Sequence, residues 1–171
     1  MEKTLKGRGP FLWSDANSET TQPGSGEIWA YGVIAASEGV GPITALAYVL
    51  TLENQERFTK SRDVGPYLGL VPKQEDSGES QPQLGISTAG DTMVRKLLVG
   101  SAQYILGPFG LDTDLRRYGL RLCERGGRNA KKRAAVAVAR KLAVLLHRLW
   151  VSGEVYEPMH HAKSVPIAAA A

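Results

Sequence analysis

Apolar residues recur at the spacing of an α-helix through most of the chain, and polar segments with glycine and proline separate these periodic stretches. The longest stretch covers residues 129–151 and carries its basic residues off the apolar stripe. That stripe consists of Val138, Leu142, Leu145 and Leu149. No alternation of apolar and polar residues persists over the length of a strand. The pattern therefore predicts a compact all-α domain that ends in a long, basic, amphipathic helix.

Two short helices joined by a tight turn are predicted near the start of this domain. The apolar residues 29–37 form the first helix. A turn with two glycines then leads to Pro42, which suits the first position of the second helix because proline lacks an N–H to satisfy there. We expect the second helix to bury one face. Its predicted members are Ile43, Ala47, Leu50 and Asn54, with Leu46 and Val49 beside them.

Capping residues predict three more helix starts along the chain. Ser61 is expected to cap a short helix that Gly69 ends. Asp91 is expected to cap a longer helix. The predicted buried face of that helix is Val94, Leu97, Leu98, Ala102 and Ile105. Asp112 or Asp114 is expected to begin a further helix, which two consecutive glycines close before the last helix begins.

These elements divide the chain into a flexible leader (residues 1–28, interpreted as foreign to the domain), a helical domain (29–157) and a disordered tail (158–171). No apolar run reaches the roughly 20 residues of a membrane helix. No apolar region follows the first lysines, as it would in a secretory signal. We therefore expect a cytoplasmic protein without a membrane partner. Cys123 is the single cysteine, which excludes a disulfide scaffold.

The basic residues concentrate in one part of the chain. The 21 Lys and Arg exceed the 17 Asp and Glu by only 4 overall. Residues 115–148, however, hold eleven basic residues and one acid, Glu124, so this segment carries +10 and the remainder −6. Such a density attracts polyanions through the release of counterions, which favours nucleic acid as the partner. The alternative is a solvated helix face that serves solubility.

The turn between the first two helices resembles a helix-hairpin-helix. Gly39 and Gly41 permit a tight hairpin, and their missing side chains let backbone N–H groups approach a phosphate. Thr44 follows at the start of the next helix, whose N-terminus adds partial positive charge. An ordinary turn between helices has the same composition, so both interpretations stay open.

Catalytic chemistry has one candidate in the polar loop 73–83. Ser77 precedes Gly78, which leaves space for a substrate backbone, but no histidine lies nearby in sequence to take the serine proton. A solvated loop explains the same residues. The adjacent His160 and His161, and carboxylate pairs such as Asp112 with Asp114, lack the spacing of a metal site.

Six short motifs nevertheless follow one another in a specific order. They are residues 39–45 (GVGPITA), 67–72 (YLGLVP), 77–78 (SG), 85–91 (GISTAGD), 95–98 (RKLL) and 136–142 (VAVARKL). Their order and spacing resemble the C-terminal transposase domain of the insertion-sequence family that includes Piv-type DNA invertases and bridge-RNA-guided recombinases. The resemblance covers residues 33–157 and implies a helical fold.

The resemblance also implies a chemistry. Family members carry an N-terminal RuvC-like domain whose DEDD carboxylates bind Mg²⁺, and a serine of the C-terminal domain attacks DNA. That serine corresponds to Ser77, with Ser87 as the alternative. No cofactor is expected in this chain, which we interpret as N-terminally truncated and inactive alone. Two further readings stay open: a non-catalytic nucleic-acid-binding module and an inactive remnant.

The implied partners are DNA, a guide RNA, and either further copies of the chain or a full-length transposase. We expect the nucleic-acid contacts at Gly39, Gly41, Thr44, Lys73, Arg95, Lys96, Arg128, Lys131, Lys132 and Arg133. This chain departs from the family pattern at Glu38, where relatives have proline. It departs again around Ser77, where three acids lie close in sequence. Carboxylates there repel a phosphate unless a metal or a partner supplies positive charge.

Overall fold

Six α-helices form the architecture of the described chain, residues 25–73 and 85–160 of a computed structural model. They are α1 (Ser25–Ala35), α2 (Pro42–Leu52), α3 (Val64–Tyr67), α4 (Thr92–Leu106), α5 (Asp114–Glu124) and α6 (Ala130–Ser152). Two short 3-10 turns precede α3. The β-type pairing in these ranges is one isolated bridge between Pro72 and Ile86. The predicted all-α class is therefore confirmed.

Helix α6 runs through the centre of the domain and packs against α1, α3, α4 and α5. Alanines alternate with larger residues on its buried face, so neighbouring helices approach it closely. That face consists of Ala130, Ala134, Ala135, Val138, Ala139, Leu142, Ala143, Leu146, His147, Leu149 and Trp150. The predicted stripe is confirmed at Val138, Leu142 and Leu149, whereas Leu145 is only half-buried and Leu146 lies in the core.

The predicted buried face of α2 is confirmed at Val49, and Ala47 is half-buried, but the prediction is otherwise wrong. Ile43, Leu46 and Leu50 are 66%, 51% and 58% exposed. The helix instead buries Tyr48, whose hydroxyl donates a hydrogen bond of 2.6 Å to the carbonyl of Ala143 in α6. A tyrosine offers a large apolar surface and needs a partner for its hydroxyl, so this one contact rotates the helix away from the face with more aliphatic residues.

Side-chain caps set the helix ends, with one prediction confirmed and two corrected. The Asp91 carboxylate accepts a hydrogen bond of 2.6 Å from the Val94 N–H and caps α4 as expected. Helix α5 is capped by Thr113, whose hydroxyl accepts from the Arg116 N–H at 3.1 Å, and not by Asp112 or Asp114. Ser61 caps no helix either, since a 3-10 turn begins there. Its hydroxyl instead forms a hydrogen bond with a buried histidine.

His147 is that histidine, and it ties α6 to the two 3-10 turns. Its side chain is buried, with Nδ1 3.0 Å from the Ser61 hydroxyl and Nε2 3.1 Å from the Gln55 carbonyl oxygen. A carbonyl only accepts, so Nε2 donates to it and Nδ1 accepts from Ser61 in the neutral ring. The Phe58 ring packs edge-on, with centroids 5.6 Å apart. Burial lowers the pKa of His147 below its ordinary value.

The lowered pKa predicts that the domain loses stability as the pH falls. Below about pH 6.5 the unfolded chain protonates His147 while the folded chain resists, so protons favour the unfolded state. We expect the free energy of unfolding to decline by at most about 1.4 kcal/mol per pH unit from this group. Chemical denaturation at several pH values between 7.5 and 5 measures this decline in the free energy of unfolding.

The variant His147→Gln provides the comparison for this prediction. Its amide can still donate to the Gln55 carbonyl but does not titrate, so the variant should be less stable at neutral pH and largely insensitive to acidification. An unchanged slope in His147→Gln would assign the pH effect to other groups.

Candidate nucleic-acid interface

A broad open groove of about 2020 Å³ runs along the outer side of α6. Its floor is the α6 surface from Asn129 to Leu149, and α5 forms one side. The loop ends at Leu70, Pro72, Gly85 and Ile86 line it as well, and so does the segment after α6 as far as His160. The groove therefore gathers surfaces from the middle and from the C-terminal part of the described chain.

Cations dominate the charged residues that line this groove. They are Arg117, Arg121, Arg128, Lys132, Arg133, Arg140, Lys141 and Arg148, against the acids Asp114, Glu154 and Glu157. A surface with this excess of positive charge raises the local concentration of polyanions. Eight of the eleven basic residues of the +10 segment thus lie on one surface, because α5 and α6 pack side by side.

Two of these cations have carboxylate partners. Arg117 binds Asp112 through two hydrogen bonds of 2.9 and 2.6 Å, which hold the pKa of that carboxyl below its ordinary value. Arg148 lies 4.0 Å from a carboxylate oxygen of Glu154. Lys141 has a different contact, since its ammonium sits 3.8 Å from the centroid of the Tyr118 ring. These contacts hold the three cations at defined positions along the groove.

Four other cations of the groove are more available. Among the described residues, Arg121, Arg128, Lys132 and Arg140 have no ion-pair partner, and all four are exposed. Positive side chains on one surface repel one another unless an anion lies between them. The four therefore form the part of the groove best suited to an external anion.

The first turn of α6 carries charge of the unfavourable sign. Lys131, Lys132 and Arg133 follow one another there, and the turn contains no acid. The N-terminus of a helix has partial positive charge, so each cation in this turn opposes the helix dipole by roughly 0.3–1 kcal/mol. Asn129 precedes the helix without a capping hydrogen bond from its side chain. Helix stability alone does not account for this sequence.

One end of the groove is acidic and meets the hairpin between α1 and α2. Burial raises the pKa of the Tyr156 hydroxyl, and the charges of Glu38 and Asp114 raise it further, while a hydrogen bond with Thr113 opposes them. The Asp114 N–H donates to the Pro158 carbonyl at 2.9 Å, which holds the segment after α6 against the start of α5. The basic and acidic ends of the groove are thus distinct.

The loop that contains Ser77 starts and returns at the edge of the groove. Ser77 itself lies outside the described residues, which stop at Lys73 and resume at Gly85. The Lys73 N–H donates to the Gly85 carbonyl at 2.8 Å, and the Ser87 N–H donates to the Val71 carbonyl at 2.8 Å. The Ser87 hydroxyl oxygen is buried and has no hydrogen-bond partner in the described chain. In the described chain this hydroxyl therefore does not face the open groove.

Arg95 is a structural residue, which corrects its assignment as a nucleic-acid contact. It is 8% exposed, and its guanidinium donates to the carbonyls of Leu68 at 3.2 Å and Ala89 at 2.7 Å. The two loop ends touch backbone to backbone here, since a Cβ on Gly69 would collide with Ala89 and one on Gly90 with the Tyr67 carbonyl. Three of the sequence motifs thus meet to hold the loop ends together.

The hairpin residues also have structural explanations. Gly39 has a positive φ of 76°, and a Cβ there would lie 2.6 Å from the Ile105 side chain on α4. Thr44 is buried, 6% exposed, which corrects its assignment as a phosphate contact. Gly41 is exposed at the start of α2 and has open space around it. Of these three residues, Gly41 is exposed, Gly39 is half-buried and Thr44 is buried.

The other predicted contacts divide between the groove and its surroundings. Arg128, Lys132 and Arg133 line the groove. Lys131 lies beside it in the same turn of α6, Lys73 lies at the loop end, and Lys96 is exposed on α4 without lining the groove. Sequence reasoning did not single out Arg121, Arg140 or Lys141. The signal that finds two of them is the spacing of eight residues from 132 to 140 and from 133 to 141, which places side chains on one face of a helix.

The described residues contain no group of three or more His, Cys, Asp or Glu side chains that could hold a metal ion. The expected Mg²⁺ belongs to a different domain, so these residues do not test it. No helix in residues 25–73 and 85–160 has the length and apolarity needed to cross a membrane.

The structure thus shows an all-α domain whose longest helix forms the floor of a cationic groove. Comparison with protein families gives the class more closely, because residues 32–109 match the Transposase IS116/IS110/IS902 family. This match supports the family resemblance inferred from the motifs.

Individual relatives agree with this assignment. The chain is 38% identical over 119 residues to the transposase for insertion sequence element IS1111A of Coxiella burnetii, covering 69% of the chain and 32% of that protein. It is 35% identical over 126 residues to a probable family 20 transposase of Pseudomonas aeruginosa, covering 73% and 36%. A putative transposase of Sinorhizobium fredii is 34% identical over 126 residues, covering 72% and 32%. The chain thus spans about one third of the length of these relatives.

Variants of the adjacent residues Arg95 and Lys96 distinguish a buried cation with a structural role from a cation on the surface. Arg95→Met leaves buried carbonyls without a donor and should lower the free energy of unfolding by about 1–3 kcal/mol. Lys96→Met removes an exposed charge and should change it by less than about 0.5 kcal/mol. Denaturant titration of both variants tests this. Equal stability of the two, with nucleic-acid binding lost only in Arg95→Met, would contradict the structural role.

Proposed function

We propose that this domain binds nucleic acid along the α6 groove and acts as the DNA-handling part of an insertion-sequence transposase. The observation that carries the proposal is the set of exposed cations without ion-pair partners in the described chain, Arg121, Arg128, Lys132 and Arg140, gathered in one groove. Phosphate contacts of this kind supply most non-specific affinity for nucleic acid and position the protein on it. The named relatives, all transposases, indicate DNA as the natural substrate.

The first turn of α6 supports the proposal independently. Lys131, Lys132 and Arg133 oppose the helix dipole there, so the free domain has a less stable helix than a neutral sequence would give. A phosphate at this helix N-terminus would bond to its N–H groups and interact favourably with both the dipole and the cations. Local instability that a ligand relieves is typical of binding sites.

The chemistry proposed for the whole protein is attack by the Ser77 hydroxyl on a DNA phosphodiester. A bond forms from the serine oxygen to phosphorus, a P–O bond of the DNA breaks, and the released DNA hydroxyl takes up a proton. Support comes from the family motif that Ser77 occupies and from the loop ends at residues 72 and 85, which lie at the groove. A RuvC-like domain, elsewhere in the protein or in another chain, would hold the Mg²⁺.

The other proposed partners follow from the same resemblance. They are a guide RNA that specifies the DNA site and further copies of the protein, or a full-length transposase, that complete the assembly. A second candidate function is binding without catalysis. Glu75, Asp76 and Glu79 favour it, because carboxylates beside Ser77 repel the phosphate that the serine would attack.

Two adjacent lysines of α6 give a matched test of nucleic-acid binding. Lys131→Glu and Lys132→Glu change the net charge equally and lie in the same helix turn, but only Lys132 lines the groove. Each variant should stabilise the domain by roughly 0.5–2 kcal/mol, since an acid suits a helix N-terminus. Lys132→Glu should weaken binding about tenfold. It should also reduce the slope of log affinity against log salt concentration by about 1, as expected for the loss of one phosphate contact. Thermal denaturation and fluorescence anisotropy at two salt concentrations measure both effects.

The lysine pair distinguishes a groove from a diffuse charge effect. Lys131→Glu should weaken binding distinctly less than Lys132→Glu. Equal losses in both variants would show that net charge alone drives binding. Absence of binding by the wild-type domain at low salt would overturn the proposed function.

A covalent-trapping assay tests the proposed chemistry. When a RuvC-like domain with its metal and a guide RNA are supplied, Ser77→Ala should abolish the covalent protein–DNA product, because the attacking oxygen is gone. Ser87→Ala should retain it, since the Ser87 hydroxyl is buried. Labelled DNA on a denaturing gel reports the product. A wild-type protein that binds but never forms the product would favour the non-catalytic function.

A further inference from the structure

The groove face of α6 alternates cationic and apolar positions. Cations stand at 132 and 133, at 140 and 141, and at 148, which a rise of 1.5 Å per residue places about 12 Å apart along the helix. Between them lie Val136 and Ala137, then Val144 and Leu145, all partly buried and all lining the groove. A ligand along α6 therefore meets positive charge and apolar surface in turn over about 24 Å.

The sides of the groove also combine cationic and apolar surfaces. Near the loop ends its accessible lining is apolar, at Pro72 and Ile86, whereas Leu70 is buried; α5 contributes Arg117 and Arg121. Lys141 is held in place by the Tyr118 ring at 3.8 Å. The middle cationic position is thus fixed before any ligand arrives, and an apolar strip lies opposite the basic side.

Duplex DNA fits this pattern poorly. Its outer surface is sugar and phosphate, and its base faces are stacked inside, so valine and leucine side chains would be pressed against charged groups that lose their water. A single strand presents phosphates along one edge and unstacked base faces along the other. It can place the phosphates on the cations and the bases on the apolar strip at the same time.

We infer that the α6 groove is a site for single-stranded nucleic acid, with the phosphates on the cations at 132, 140 and 141 and the base faces over Val136, Val144 and the apolar loop ends. This inference rests on the proposed function and narrows its ligand class. The shared chemistry of single-stranded DNA and RNA is what the groove recognises, because none of these contacts depends on the sugar.

Competition between strand forms tests the inference. Fluorescence anisotropy on the whole chain should use labelled single-stranded DNA, single-stranded RNA and duplex DNA. A length of about 16 nucleotides or base pairs suits all three, since known single-strand sites on one domain cover up to about 16 nucleotides. We expect the single strands to bind at least about tenfold more tightly than the duplex. Their affinity should also decline somewhat less with salt, because a single strand releases fewer counterions per phosphate contact than a duplex does.

Two valines of α6 provide a matched pair of variants. Val144 lines the groove, whereas Val151 is 55% exposed on the same helix and does not line it. Val144→Asn should weaken single-strand binding at least about fivefold and duplex binding less than twofold, since stacked duplex bases do not reach it. Val151→Asn should change neither. Thermal denaturation verifies that both variants remain folded.

The outcomes separate this inference from the proposed function. Equal or tighter binding of duplex DNA overturns the inference and leaves a nucleic-acid groove in place. Single-strand preference that survives Val144→Asn unchanged overturns the placement of bases over α6. Absence of binding to all three forms overturns both. A difference between the DNA and RNA strands of more than about tenfold would contradict recognition that ignores the sugar.

Discussion

The close packing of α6 against its neighbours is the constraint on which the rest of this structure depends. One face of the helix carries alanines among its larger residues, which lets α1, α3, α4 and α5 approach it. The Tyr48 hydroxyl then bonds to the Ala143 carbonyl in the core. Since one face is wholly used for packing, the opposite face is left to carry the cations of the groove. The same helix is therefore both the core of the domain and the floor of its candidate site.

A second backbone contact fixes the ends of the loop that contains Ser77. Gly69 and Gly90 allow the chain on either side of that loop to touch without side chains between, and Arg95 bridges the two segments through the Leu68 and Ala89 carbonyls. Motifs that look like chemistry in the sequence are in this way explained by packing. Their effect on function is indirect, because the two loop ends they hold lie at the groove.

The electrostatics of the groove are organised along its length. Its basic end lies at the start of α6, where cations oppose the helix dipole, and its acidic end surrounds Tyr156 near the α1–α2 hairpin. Like charges on one surface repel each other unless an anion lies between them. Together with the match to a transposase family, this arrangement supports the nucleic-acid ligand proposed above.

The sequence by itself determined the all-α class, the extent of α6 and the cap of α4, because helical periodicity and capping are local properties of the chain. It also located the +10 segment and the transposase motifs. Tertiary structure decided which face of α2 is buried. Burying Tyr48 against α6 stabilises the domain more than burying the aliphatic residues of α2 would, so Ile43, Leu46 and Leu50 stay exposed. It also decided that Arg95 and Thr44 are buried while Arg140 and Lys141 line a groove. Whether a cation faces solvent or satisfies carbonyls depends on segments far apart in the chain, and no local pattern contains that information.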